Sequence, residues 1–293
     1  MQKIIPHLWF DTQAVQAADF YCQVFPESQI LHKNVLNNTP SGNVDLVSLK
    51  IWGHEFAFIS AGPIFKINAS VSFTVICKTP EELDAMWEQL KQEGRVLMEL
   101  GEYPFSKRYG WVMDKFGVTW QLILVEGDMP EQRIVPALLF TQDLCGKAEE
   151  AINFYVSVFD NSKIKDVMKY GEHETPDTEG TIQHATFMLE NQFFTAMDSA
   201  HKHEFKFNEA ISFMVRCKTQ EEIDYYWEKL SAVPESEQCG WLKDKFGFSW
   251  QIVPTAMDEM MKNGTKEQTA RVTEAFLQMK KFDVAKLEEV YKG

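Results

Sequence analysis

Apolar and polar positions alternate along Pro6-His7-Leu8-Trp9-Phe10, as they do in a strand with one buried face. From Val15 to Phe25 the spacing changes, and Val15, Ala18, Tyr21, Cys22 and Phe25 fall on one side of a helix. Pro26 ends that helix, since its ring fixes φ and removes an N–H. Gln29–Leu36, Val44–Ile51 and Glu55–Ser60 read as three further strands, separated by a polar loop at 37–42 and a turn at Trp52-Gly53-His54. The order is β, α, β, β, β. It restarts at Ser72–Cys77, continues through a helix over Pro80–Gln92 and a short strand near Arg95–Met98, and ends in a hairpin. Pro80 in the first turn, followed by Glu81 and Glu82, suits a helix N-terminus.

The hairpin identifies a repeat. Gly110-Trp111-Val112-Met113-Asp114-Lys115-Phe116-Gly117-Val118-Thr119-Trp120-Gln121 returns as Gly240-Trp241-Leu242-Lys243-Asp244-Lys245-Phe246-Gly247-Phe248-Ser249-Trp250-Gln251, with eight of twelve positions identical. Each copy is a strand, a tight Asp-Lys-Phe-Gly turn and a second strand. Ser72–Asp84 recurs as Ser212–Asp224, and Phe20–Phe25 as Phe154–Phe159. The second half reads as a strand at Val135–Phe140, a helix at Ala148–Phe159, and strands at Lys163–Tyr170, Gly180–Leu189 and Gln192–Met197. Ser212–Cys217, a helix at Glu221–Leu230 and the second hairpin follow. The offset between halves drifts from 140 to 130, which places gains or losses in loops. The fold class is therefore α+β: a tandem duplication, each half holding two βαβββ modules. The expected divisions are 1–128, 133–255 and a helical tail over 256–293. In the tail, Lys266–Lys280 and Asp283–Tyr291 have helical spacing and read as a cap on one domain.

Composition narrows the function. The 293 residues are 45% hydrophobic and 25% charged, as in ordinary globular proteins. A net charge of −14 without a compact basic run argues against nucleic acid, whose binding depends on neutralising phosphates. Apolar runs are too short to span a bilayer. No signal-peptide core precedes the first strand, so the cytoplasm is expected, and five cysteines without a C-x-x-C pair fit that compartment. Cys77 and Cys217 fall in strands and read as small core residues.

Doubled βαβββ modules resemble the glyoxalase/bleomycin-resistance/dioxygenase (vicinal oxygen chelate, VOC) superfamily. The hairpin's D-K-F-G-V-T-W-Q and D-K-F-G-F-S-W-Q resemble its D-P-x-G-x-x-aromatic-E signature. Cys239–Pro254 and the tail's Met279-Lys280-Lys281-Phe282-Asp283 are similar to the PhnB-like family, often labelled 3-demethylubiquinone-9 3-methyltransferase. The resemblance implies a concave sheet around a pocket, often with a divalent metal on the first and last strands of paired modules.

Carried onto this chain, the last-strand glutamate positions are Gln121 and Gln251. The first-strand positions are His7 and Ala137, and Ser72 and Ser212 stand where a metal enzyme tends to carry His. A divalent site needs three or more imidazole, carboxylate or thiolate ligands, and a glutamine supplies one neutral oxygen. No metal site and no cofactor are therefore expected; a divalent ion is the lesser alternative. The expected ligand-contacting residues are His7, Trp9, Ser72, Gln121, His184, Ser212 and Gln251, with no catalytic residue assigned. Alternation puts His7 and Trp9 on a concave face, with Gln121 meeting His7 and each half forming its own cup. His184 replaces Leu46 of the first half, and reads either as a rim histidine or as a hydrogen-bonding group near its neutral pKa. One Trp of each hairpin should be core and the other pocket-lining.

The leading expectation is a small-molecule-binding protein, acting as a monomeric internal pseudo-dimer or as a homodimer. The alternatives are a metal-dependent lyase, isomerase or dioxygenase, or the labelled methyltransferase. Against the last, none of the fifteen glycines forms G-x-G, so the backbone lacks the usual approach for S-adenosylmethionine in a Rossmann-like site.

Overall fold

The computed structural model describes residues 2–39 and 41–293. The first module is β1 (Ile4–Phe10), α1 (Ala14–Val24), β2 (Gln29–Thr39), β3 (Gly42–Ile51) and β4 (His54–Ser60). The second is β5 (Val71–Cys77), α2 (Pro80–Leu90), β6 (Arg95–Tyr103), β7 (Ser106–Met113) and β8 (Thr119–Leu124). The second half supplies β9 (Ile134–Thr141), α3 (Ala148–Val158), β10 (Lys163–Lys169), β11 (Ile182–Leu189) and β12 (Gln192–Ser199). Its last module is β13 (Ile211–Cys217), α4 (Gln220–Leu230), β14 (Trp241–Lys243) and β15 (Ser249–Pro254). Three tail helices follow: α5 (Thr255–Asn263), α6 (Lys266–Leu277) and α7 (Val284–Lys292). The repeat pattern did not reveal α5, which begins directly at the end of β15.

Thr79 and Thr219 cap α2 and α4 by accepting from the backbone N–H of Glu82 and Glu222. Each half is pinned by its Asp turn. Asp114 accepts from Tyr21 Oη at 2.7 Å, Trp120 Nε1 at 2.8 Å and the N–H groups of Phe116 and Val118. Asp244 repeats this with Tyr155, Trp250, Phe246 and Phe248. A tyrosine of one module's helix is thereby tied to the turn of the next module. Burial pushes both carboxyls up to about 6, with the four donors pulling the other way.

The sheets do not follow the halves. One has the order β14-β15-β13-β1-β4-β3-β2, the other β10-β11-β12-β9-β5-β8-β7-β6. The first module is thus joined to the fourth, through antiparallel β1 and β13, and the third to the second, through antiparallel β9 and β5. The two modules of a half instead meet across the core, where Phe56 of β4 lies 5.2 Å from Phe73 of β5. Phe194 and Phe213 repeat that contact at 5.4 Å. The expectation that each half forms its own cup is corrected: each concave sheet takes one module from either half. Packing two modules back to back leaves the outer edges of β1 and β5 unpaired, and the other half satisfies them.

The drift in repeat offset also has a structural meaning. The interval from Leu90 to Gly110 is twice that from Leu230 to Gly240. The fourth module consequently lacks a counterpart of β6, and its sheet has seven strands rather than the expected eight. The tail fills the gap. Cys239 and Gly240 donate their N–H groups to Met279 and Lys280 carbonyls at 2.8 and 2.7 Å. Val272, Phe276, Met279 and Phe282 form a separate apolar cluster with Val253 of β15 and Met260 of α5. Gly240 has φ +82°, and a Cβ there would lie 2.5 Å from the Phe282 ring. Gly240→Ala is therefore expected to cost about 1–2 kcal/mol and to loosen the tail. Urea unfolding with limited proteolysis checks this; an unchanged midpoint and cleavage pattern would refute it. Among the described residues no helix is long and apolar enough to cross a membrane.

Candidate functional site

The seven-stranded sheet encloses a cavity of about 1070 Å³, at the upper end for small-molecule sites. Alternation along β1 sends Leu8 and Phe10 into the core with α1 and turns His7 and Trp9 to the cavity. On β15, Trp250 is fully buried and Gln251 lines the cavity; on β14, Trp241 lines it too. The split of the hairpin tryptophans into core and pocket is thus present in this sheet. Met257 of α5 and Phe276 and Leu277 at the end of α6 complete the wall, so the tail covers this cup.

At the centre, His7 sits opposite Ser212 in register, with Gln251 one strand further on. His7 is 5% exposed and its Nδ1 is buried with no hydrogen-bond partner. Desolvation lowers its pKa to about 3, so the imidazole is neutral and a weak base. Its ring meets the Trp241 ring edge-on at 5.3 Å. Trp241 stands at 74° to Trp9, 6.3 Å away, and Trp9 meets Phe65 at 5.1 Å. Trp9 is held by its Nε1 donating to the Gly62 carbonyl at 2.7 Å. Ser212 is fully buried behind the cavity wall, where its Oγ accepts from Gln251 Nε2 at 3.0 Å. That leaves Gln251 Oε1 with no donor among the described residues.

The eight-stranded sheet builds the same centre differently. Ala137 lies opposite Ser72, whose Oγ accepts from Gln121 Nε2 at 2.6 Å. Gln121 Oε1 then accepts from Tyr109 Oη at 2.9 Å, so both ends of this amide are satisfied. Cys239 stands where Tyr109 stands in the first half, which is why Gln251 has no such donor. Trp111, the counterpart of Trp241, has a buried Nε1 without a partner.

His7, Trp9, Ser212 and Gln251 therefore come together, while Ser72, Gln121 and His184 belong to the other sheet. The expected meeting of His7 with Gln121 does not occur. Both face where alternation predicted, but β1 and β8 lie in different sheets. His184 is half-buried on β11, beside Met168 of β10, and desolvation lowers its pKa. His201 is exposed on a loop, and His203 contacts Ser199 Oγ at 2.8 Å.

Sequence reasoning missed the charged ends of the cavity. Arg216 shares a face of β13 with Ser212, and its Nη1 donates to Glu55 Oε2 of β4 at 2.6 Å. Its Nε lies 3.4 Å from Asp258 Oδ2 on α5. Lys243 of β14 pairs with Glu209 at 2.7 Å. The period-two spacing of Ser212, Met214 and Arg216 was a visible signal for the first of these.

A divalent ion would be implied at this position by the fold, and the donors do not fit one. The four strand positions around the centre are His7, Ala57, Ser212 and Gln251, with one imidazole and no carboxylate. Among the described residues no group of three or more His, Cys, Asp or Glu could hold a metal. Cys239 lines the cavity too, but burial pushes its thiol pKa up, away from a reactive thiolate.

The model of the 3-demethylubiquinone-9 3-methyltransferase family matches residues 2–123 and again 132–253. The chain belongs to this family. The family is matched twice in tandem, once in each half of the chain. A PhnB protein from Bacillus cereus, provisionally given the same methyltransferase description, is 37% identical over 42% of this chain and 100% of its own, with a TM-score of 0.40. Glyoxalase I from Zea mays is 11% identical, over 88% of this chain and 96% of its own, with a TM-score of 0.54. A Bacillus subtilis protein provisionally titled a dioxygenase is 12% identical, over 97% and 94%, at 0.52. These last two share the fold. No curated protein matches significantly.

Proposed function

We propose that this PhnB-like chain is a small-molecule-binding protein whose working site is the seven-stranded cup. The supporting observation is the contrast between the two glutamines. Gln121 is paired at both ends of its amide by Ser72 and Tyr109, whereas Gln251 is paired only through its Nε2, to Ser212, and its Oε1 has no donor among the described residues. An acceptor facing a mainly apolar cavity without a donor is one that a ligand N–H or O–H can pair with a gain in free energy. The tail covers this cup and adds apolar wall, so one cup works and the other serves as scaffold. The methyl-transfer name is not part of this reading, because the chain has no glycine-rich cofactor loop. The chain acts as a monomer, since pairing of its halves already completes both sheets, and it resides in the cytoplasm, where its five free cysteines fit.

The test is a thermal-shift screen of small neutral and charged fragments against three proteins. Hits on the wild type should bind Gln251→Leu more weakly by about 1–2 kcal/mol, roughly tenfold in Kd, and Gln121→Leu unchanged. No hits, or hits indifferent to Gln251, would refute the assignment.

A further inference from the structure

We infer that the molecule held in this cup is uncharged and presents a flat aromatic ring bearing a hydrogen-bond donor, as in a hydroxyarene or an aromatic amide. This rests on the cup being a binding site, and concerns what it selects.

The centre offers no charge to a ligand. His7 is almost fully buried, and no carboxylate bonds to it among the described residues. Gln251 and Ser212 are neutral. An ionic group placed there would lose its hydration without gaining a counter-ion at the centre. The shielded cations of the wall are each paired with a carboxylate, although Arg216 Nε, 3.4 Å from Asp258 Oδ2, makes no hydrogen bond. Arg216 and Lys243 hold Glu55 and Glu209 at 2.6 and 2.7 Å, and each of these four side chains is less than a quarter exposed. An anion would have to displace a carboxylate from a short, shielded pair, and an organic cation would have to displace an arginine or a lysine. His32, Glu235, Asp258, Glu259 and Lys262 also reach the cavity but are exposed, so water screens them.

Shape and polarity supply the rest. Trp9, Trp241 and Phe65 meet edge to face, presenting ring faces and edges against which another flat ring packs. Beside them, Gln251 Oε1 is a pure acceptor, which calls for an N–H or O–H on that ring.

The experiment titrates 1-naphthol, 1-naphthoate, 1-naphthylmethylammonium and naphthalene into the full chain at neutral pH, by calorimetry. The hydroxyarene should bind at least about tenfold more tightly than either charged analogue and than naphthalene. Gln251→Leu should remove that advantage over naphthalene, and Gln121→Leu should keep it. An advantage below tenfold over a charged analogue overturns the inference while leaving the binding site in place. Absence of binding by all four overturns the aromatic class, and the fragment screen then decides separately whether the cup binds anything. Indifference to Gln251→Leu overturns the placement of the donor.

Discussion

Asp244→Ala should destabilise the protein by about 3–5 kcal/mol, a large effect for a single substitution. The carboxylate is fully buried and accepts from Tyr155 Oη, Trp250 Nε1 and two backbone N–H groups. Alanine leaves all four donors without an acceptor, in a core where water cannot replace it. It also cuts the link between α3 and the last hairpin, so the two modules of that half lose their polar tie through this turn. Asp114→Ala removes the equivalent tie from Tyr21 and Trp120 in the first half and should cost a similar amount. Because the two turns share no partner, the double variant should show nearly additive losses. Urea denaturation at neutral pH measures each loss. A loss below about 1 kcal/mol for either single variant would mean that these networks position the turns without stabilising them.

The second large effect is an acid weakness caused by His7. Its pKa is 6.5 in a solvated chain and about 3 in the fold, because burial disfavours the imidazolium. Below pH 6.5 the unfolded chain binds a proton that the folded one refuses. His7 therefore adds nothing adverse above 6.5, and stability falls as pH drops from there toward 3. By about pH 4.5 the loss should reach about 2–3 kcal/mol. Asp114 and Asp244 act in the opposite sense, since their raised pKa values favour the fold as pH falls from about 6 to 3.8. Comparing wild type with His7→Leu cancels that contribution, as it does for His54, His184 and His203. The difference in stability between the two proteins should shift in favour of His7→Leu on acidification. If it stays constant between neutral pH and about 4.5, His7 protonates freely in the fold, and its placement in a water-poor centre is mistaken.

What the sequence determines in this protein is local. A period of two along β1 sends Leu8 and Phe10 to the helix side and His7 and Trp9 to the other, whatever strand lies alongside. The same rule separates Trp250 from Gln251 and Trp120 from Gln121. The Asp-Lys-Phe-Gly turns, the helix spacings and the repeat itself depend on residues near one another in the chain, so they are legible without coordinates. Strand partnership is not local. Any first strand could pair with any other of matching pattern, and the choice falls to core packing: Phe56 on Phe73 and Phe194 on Phe213 stack each half's modules back to back. The edges of β1 and β5 can then close only on the other half. That choice set His7 beside Ser212 and Gln251 rather than Gln121, and it brought Glu55 and Arg216 together from positions 161 residues apart. The shorter fourth module was present in the sequence as a change of offset. That the tail would fold into the resulting gap and close one cup followed only from the packed structure.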